Sequence, residues 1–189
     1  CRAHPRSALE LIASGTADWL QAMANPVVAA LHVGDPDTLV ADPQAPSSLQ
    51  AEPEPTGAYG FVAFSLVMSL LNVGQQELGL AVYDRIRAVA ARAVAPVDPA
   101  FEGYVAIAHL LVDILTRGDL GGAMRRSREA LASMGDSGDS LAAFVSRQYA
   151  GWMRIEIGDF EEAIALEAPL LTASGGVMQL AREWGTVWT

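Results

Sequence analysis

The stretch RIEIGDFEEAIALE, residues 154–167, consists of a helical-looking apolar segment, a glycine and a second helical-looking segment. Two earlier stretches have the same form, DILTRGDLGGAMRR at 113–126 and LLNVGQQELGLAVY at 70–83. Their turn glycines are 44 and then 40 residues apart. Repetition at such a period is typical of stacked helical hairpins. The chain is therefore expected to be all-α, with antiparallel helical hairpins stacked into a short right-handed α-solenoid.

Each of these glycines lies at the turn of a predicted hairpin, and the three hairpins span residues 60–171. Their helices are expected at 60–73 and 75–94, at 101–117 and 120–134, and at 140–157 and 160–171. Gly74, Gly118 and Gly158 suit the left-handed conformation that often follows a helix. Asp119 and Asp159 come directly after two of these glycines, where an aspartate can cap the next helix.

Prolines mark the boundaries of the predicted array. Five prolines lie within residues 34–57, which predicts an extended linker or surface loop there. Pro96 and Pro99 are expected to close the first hairpin, and Pro169 to shorten the last predicted helix. The predicted organisation is an N-terminal helical segment at 1–33, the linker at 34–57 and helical repeats at 58–189.

The two ends of the chain suggest a piece of a longer protein. Cys1 stands where a starting methionine would be expected. Trp184 and Trp188 lie four residues apart, hence on one face of a predicted helix, with almost no sequence left to cover them. The last repeat is therefore expected to be truncated. A second copy of the chain is the alternative partner for these tryptophans.

The composition argues against several classes of function. All 12 basic residues are arginines, and 22 acidic residues give a net charge of −10, which would repel a nucleic-acid backbone. No unbroken apolar run reaches the roughly 18–20 residues of a membrane span. The single cysteine excludes an internal disulfide and a cysteine-based zinc cluster. We expect a cytoplasmic protein that binds neither nucleic acid nor membranes.

The third unit resembles the tetratricopeptide repeat. Gly151 stands where that family has a small residue on its first helix, residues 158–160 match its turn, and Ala163 matches the small residue of its second helix. The corresponding matches in the other units are Gly118, Asp119, Leu120 and Ala123, and Gly74, Gly79 and Tyr83. Arg147 and Leu111 depart from the pattern, because they stand where the family has an aromatic and a small residue.

The resemblance implies a protein that binds other proteins. Such long, loose units are similar to the helical-repeat regions of large bacterial signalling proteins, which join them to a nucleotide-hydrolysing switch module, a kinase or a DNA-binding regulator. We therefore expect a non-catalytic interaction or sensor segment without a cofactor, whose partner is a protein, a peptide or another domain of the parent chain. The expected partner-binding residues lie mainly on first helices and in one arginine-rich stretch of a second helix: Tyr104, His109, Arg147, Arg154, Arg125, Arg126 and Arg128.

Two other functions remain open. A structural spacer or self-association module would use the exposed repeat ends. A small helical metal protein or enzyme would use His109 and Asp113, which are four residues apart and share a helical face. His32, Asp35 and Asp37 form a second candidate metal cluster, within a turn-like sequence. The sequence has no nucleophile elbow, phosphate-binding loop or dinucleotide fingerprint, so no catalytic residue is predicted.

Overall fold

The computed structural model describes residues 54–135 and 138–172, and this part of the chain contains six α-helices and no strand. The helices are α1 (Gly57–Asn72), α2 (Gln76–Arg92), α3 (Pro99–Val112), α4 (Leu120–Met134), α5 (Ser140–Glu156) and α6 (Phe160–Thr172). A π-helical segment, Asp113–Arg117, extends α3. The predicted all-α class is confirmed for these residues, and each of the six helices predicted between residues 60 and 171 corresponds to one observed α-helix.

Capping side chains set where four of these helices begin. Thr56, Asp98, Asp119 and Asp139 each accept a hydrogen bond from a backbone N–H of the first turn that follows. α1 and α3 consequently begin three and two residues earlier than predicted. Pro99 begins α3 instead of closing the first hairpin. A proline is tolerated there because the backbone N–H that it lacks would have no helical acceptor in the first turn.

Asp98 also joins two helices. Its Oδ1 accepts from the Ala100 N–H at 2.9 Å, and its Oδ2 accepts from the Gly57 N–H at 2.6 Å. One carboxylate therefore caps α3 and holds the first residue of α1 beside it.

The turn glycines adopt the predicted conformation. Gly74, Gly118 and Gly158 have φ values of 77°, 65° and 78°, a region in which other residues are strained. Asp119 caps α4 through a 2.8 Å hydrogen bond from the Gly122 N–H, as predicted. The equivalent contact of Asp159 is longer, with the Glu162 nitrogen 3.4 Å from Oδ1.

The first helices of the three hairpins converge on one aromatic cluster. Phe64 of α1 stacks on Tyr104 of α3 at 5.7 Å between ring centroids and meets Tyr149 of α5 edge-on at 5.6 Å. The Tyr149 hydroxyl donates to the Met68 sulfur of α1 at 2.9 Å. A regular solenoid keeps each repeat in contact with its neighbours alone. The contact between α1 and α5 is therefore a departure from that arrangement.

The other helix contacts join helices of the same hairpin or of neighbouring hairpins. α1 packs against α2 and α3, α3 also packs against α2, α4 and α5, and α5 packs against α4 and α6. Within α1, every residue from 59 to 70 is buried, so this helix is enclosed on all sides.

One helix of the described part, α3 with its π-helical extension (Pro99–Arg117), is long and apolar enough to cross a membrane by length and composition. Of its most apolar window, 61% is buried inside the protein. This helix contacts α1, α2, α4 and α5, which is the position of a core helix in a helical protein.

Pro169 was predicted to shorten α6, but it does not. The helix continues to Thr172, with Pro169 inside it. A proline removes one backbone donor and can bend a helix without ending it.

Several predictions fall on residues outside the described part. These are the N-terminal segment 1–33, the linker up to residue 53, the candidate cluster His32, Asp35 and Asp37, and the tryptophans Trp184 and Trp188.

Candidate functional site

A groove of about 290 Å³ lies between the C-terminal end of α2, the first half of α3 and the second half of α4. Its apolar lining consists of Ala90, Ala93, Val97, Phe101, Val105 and Ala106, and its polar lining of Glu102, His109, Arg126, Glu129 and Ser133. Ligand pockets range from about 300 to 1,000 Å³. The volume of this groove therefore suits one or two side chains better than a large cofactor.

His109 contributes a neutral imidazole to the groove. Its ring lies edge-on to Tyr83, 5.5 Å between centroids, and its side chain is 22% exposed. Burial lowers the pKa of His109 below its ordinary value of 6.5, and the positive charge of Arg126 lowers it further. At neutral pH the ring therefore carries no charge and offers one hydrogen-bond donor and one acceptor.

Two carboxylates and one guanidinium set the charge of the groove. The Arg126 Nη1 donates to the Glu129 Oε2 at 2.7 Å, so these two charges neutralise each other. The Arg126 Nε is buried without a hydrogen-bond partner among the described residues. Glu102 has no ion-pair partner in the same part of the chain. Within the described part of the chain, the groove therefore presents one unpaired negative charge beside an apolar lining.

Asp113 lies near His109 but is bonded elsewhere. The His109 Nε2 and the Asp113 Oδ1 are 3.8 Å apart, which is too far for a hydrogen bond. The same carboxylate oxygen accepts from the Arg117 Nη1 at 2.6 Å. Among the described residues, no three histidine, cysteine, aspartate or glutamate side chains converge on a possible metal position.

The sequence had suggested Tyr104 as a partner-binding residue, but the structure buries its side chain. It is 1% exposed, and its ring packs between Phe61 and Phe64 of α1. The physical reason is the convergence of the first helices, which places the predicted open face of α3 inside the core.

The structure separates the predicted arginines. Arg126 lines the groove with His109, whereas Arg125 and Arg128 are exposed and do not line it. Successive residues of a helix point to different sides, so these three cannot act as one cluster. Arg154 pairs with Asp159 and Glu162, at 3.7 Å from each. Arg147 and Arg154 both lie on α5, and neither lines the groove.

Glu102, Glu129 and the alanines of the groove were not predicted. Only local signals could have found them: Glu102 and His109 are seven residues apart on one helical face, and Arg126 and Glu129 are three apart. No sequence pattern predicts that α3 and α4 pack near the C-terminal end of α2.

Comparison with known proteins gives no function for this groove. No protein-family model, curated protein or solved structure matches the chain.

Proposed function

We propose that this chain is a non-catalytic helical module that binds a protein partner, and that the groove holds a short extended segment of that partner. The observation that carries the proposal is the combination of an apolar lining with the unpaired carboxylate of Glu102. Such a lining suits a peptide that inserts an apolar side chain and places a lysine, an arginine or an amino terminus beside Glu102.

The order of helix contacts supports a tetratricopeptide-like right-handed α-solenoid as the scaffold. Each hairpin pairs its own two helices, and successive hairpins pack on each other through α3 and α5. The array would be closed more tightly than a regular solenoid, because Phe64 reaches Tyr149. Binding would then fall to the groove between α2, α3 and α4, and not to a face that contains Tyr104.

The arrangement around His109 supports a non-catalytic role. A general base needs a group that orients it, and a nucleophile within hydrogen-bond reach. Asp113 is 3.8 Å from His109 and is held by Arg117. We therefore propose an interaction function for the chain. The tetratricopeptide resemblance supports the proposal that this function belongs to a larger bacterial signalling protein of the cytoplasm.

Filling the groove tests the proposal. Ala93→Trp places a large ring in the lining, while Ala91→Trp makes the same change at an exposed position of α2 outside the groove. Random peptides are first selected on the wild-type chain by display. We expect the selected peptides to combine a large apolar residue with an adjacent lysine or arginine.

The selected peptides are then titrated against both variants by fluorescence anisotropy. We expect Ala93→Trp to weaken binding by at least about tenfold and Ala91→Trp to leave it unchanged, since tenfold corresponds to the loss of one well-buried apolar contact. Equal binding by Ala93→Trp and wild type would show that the groove is not the peptide site.

A further inference from the structure

The edge of the last described hairpin exposes an apolar surface. We name it the α5–α6 edge, and it consists of Ile155, Ile157, Phe160 and Ile164. Phe160 and Ile164 are 59% and 69% exposed and stand one turn apart on α6, so their side chains are neighbours. Ile157 and Ile155, each 47% exposed, lie where α5 ends before Gly158.

Negative charge surrounds this edge. Residues 154–162 contain four carboxylates, those of Glu156, Asp159, Glu161 and Glu162, and one cation, Arg154. Arg154 is already engaged, at 3.7 Å from both Asp159 and Glu162. The segment that carries the apolar side chains therefore has an excess of negative charge, and Glu161 has no ion-pair partner among the described residues.

We propose that the α5–α6 edge docks a basic amphipathic helix of a partner protein. Apolar side chains one turn apart on the partner would pack on Phe160 and Ile164, which is how a helix binds an apolar helical surface. Lysines or arginines beside that apolar stripe would face Glu161, which follows Phe160 on α6.

The charge of the edge favours this partner over a second copy of the chain. A symmetric dimer through the same surface would bring its carboxylates against their own equivalents, and like charges across an interface are costly. The edge lies on α5 and α6, whereas the groove lies on α2, α3 and α4, so this proposal stands independently of the groove.

A designed peptide tests the proposal on the full chain. The probe is a labelled leucine–lysine helix of about 18 residues with its leucines on one face, and its control has the same composition in an order that forms no apolar face. Phe160→Ser/Ile164→Ser removes the apolar contacts, and Glu161→Lys reverses one charge. Leu78→Ser alters an apolar residue of α2 that is 44% exposed and serves as the matched control.

We expect the amphipathic peptide to bind wild type and Leu78→Ser equally, and the double variant at least about tenfold more weakly, as the loss of two apolar contacts requires. Glu161→Lys should weaken binding at low salt and less so at high salt. Ala93→Trp should bind normally, which separates this surface from the groove.

Three results would overturn the proposal. One is binding of the reordered peptide with the same affinity, which would indicate general charge attraction. Another is undiminished binding by the double variant with its helicity intact. The third is sedimentation of wild type as a dimer that the double variant abolishes, which would make a second copy the occupant of the edge.

Discussion

The first and the last described helices are both rich in apolar residues, but they differ in what surrounds them. In α1, residues 59–70 are all buried, whereas Ala163 is the one buried residue among the described side chains of α6, residues 160–169. α1 is enclosed by α2, by α3 and by the contact with α5, while α6 packs mainly against α5.

Together with the two proposed binding surfaces, this difference suggests that stability and binding depend on different parts of the molecule. The convergence of α1, α3 and α5 gives the fold its aromatic core and takes Tyr104 out of solvent. The two proposed binding surfaces are the groove at α2, α3 and α4, and the α5–α6 edge. Four predictions test this division, beginning with the largest expected effect.

Truncating the same aromatic residue in the two helices should have very different consequences. Phe64→Ala opens a cavity in the core and should lower the free energy of unfolding by about 3–5 kcal/mol. Phe160→Ala alters a side chain that is 59% exposed and should cost less than about 1 kcal/mol. Urea denaturation followed by circular dichroism measures both. Equal losses would remove the distinction between the two helices.

Removing the cap shared by α1 and α3 should have the next largest effect. Asp98→Ala loses the hydrogen bonds from Ala100 and Gly57, and we expect a cost of about 1–2 kcal/mol. Asp98→Asn keeps an acceptor for one of these N–H groups and should recover part of the loss. The same denaturation measurement applies, and an unchanged midpoint for Asp98→Ala would show that the two helices do not depend on this residue.

The histidine of the groove should make stability depend on pH. The pKa of His109 is lowered below 6.5 in the folded state, so the unfolded state binds a proton more readily. Above the unfolded-state pKa, His109 therefore does not lower the free energy of unfolding. As the pH falls below that pKa, the unfolded state is protonated preferentially and the free energy of unfolding decreases. Between about pH 7.5 and pH 5.5, wild type should lose more stability than His109→Gln does. Parallel losses would mean that His109 is not perturbed.

The smallest effect is expected at Glu167 of α6. Burial raises the pKa of this carboxyl above 4.5, so its ionised form destabilises the folded state at neutral pH. Glu167→Gln should slightly raise the unfolding midpoint at neutral pH. This gain should disappear as the pH falls below the unfolded pKa, where the wild-type carboxyl is protonated in both states. A loss of stability at neutral pH would contradict the effect of burial.

Features that depend on neighbouring residues could be predicted from the sequence. The left-handed turns at Gly74, Gly118 and Gly158 follow from local sterics. The Asp98 cap was missed because Pro96 and Pro99 resembled a helix end, although a proline can equally begin a helix.

Features that join distant segments could not be predicted in the same way. The groove combines Ala93, Glu102 and Arg126, whose proximity depends on how the three helices cross. The burial of Tyr104 depends on α1 and α3 packing closely. The amphipathic pattern of a helix shows that it has a buried side, but not which helix covers it.

Chemical-shift mapping tests most directly whether partners bind in the groove between α2, α3 and α4. A peptide selected on the chain is titrated into uniformly labelled protein, and the backbone amide signals are followed. We expect the largest shifts at the groove residues of α2, α3 and α4, including Ala93, Glu102, His109 and Arg126. Shifts centred on Phe64, Tyr104 and Tyr149 instead would place binding at the aromatic cluster, and would contradict the division proposed here.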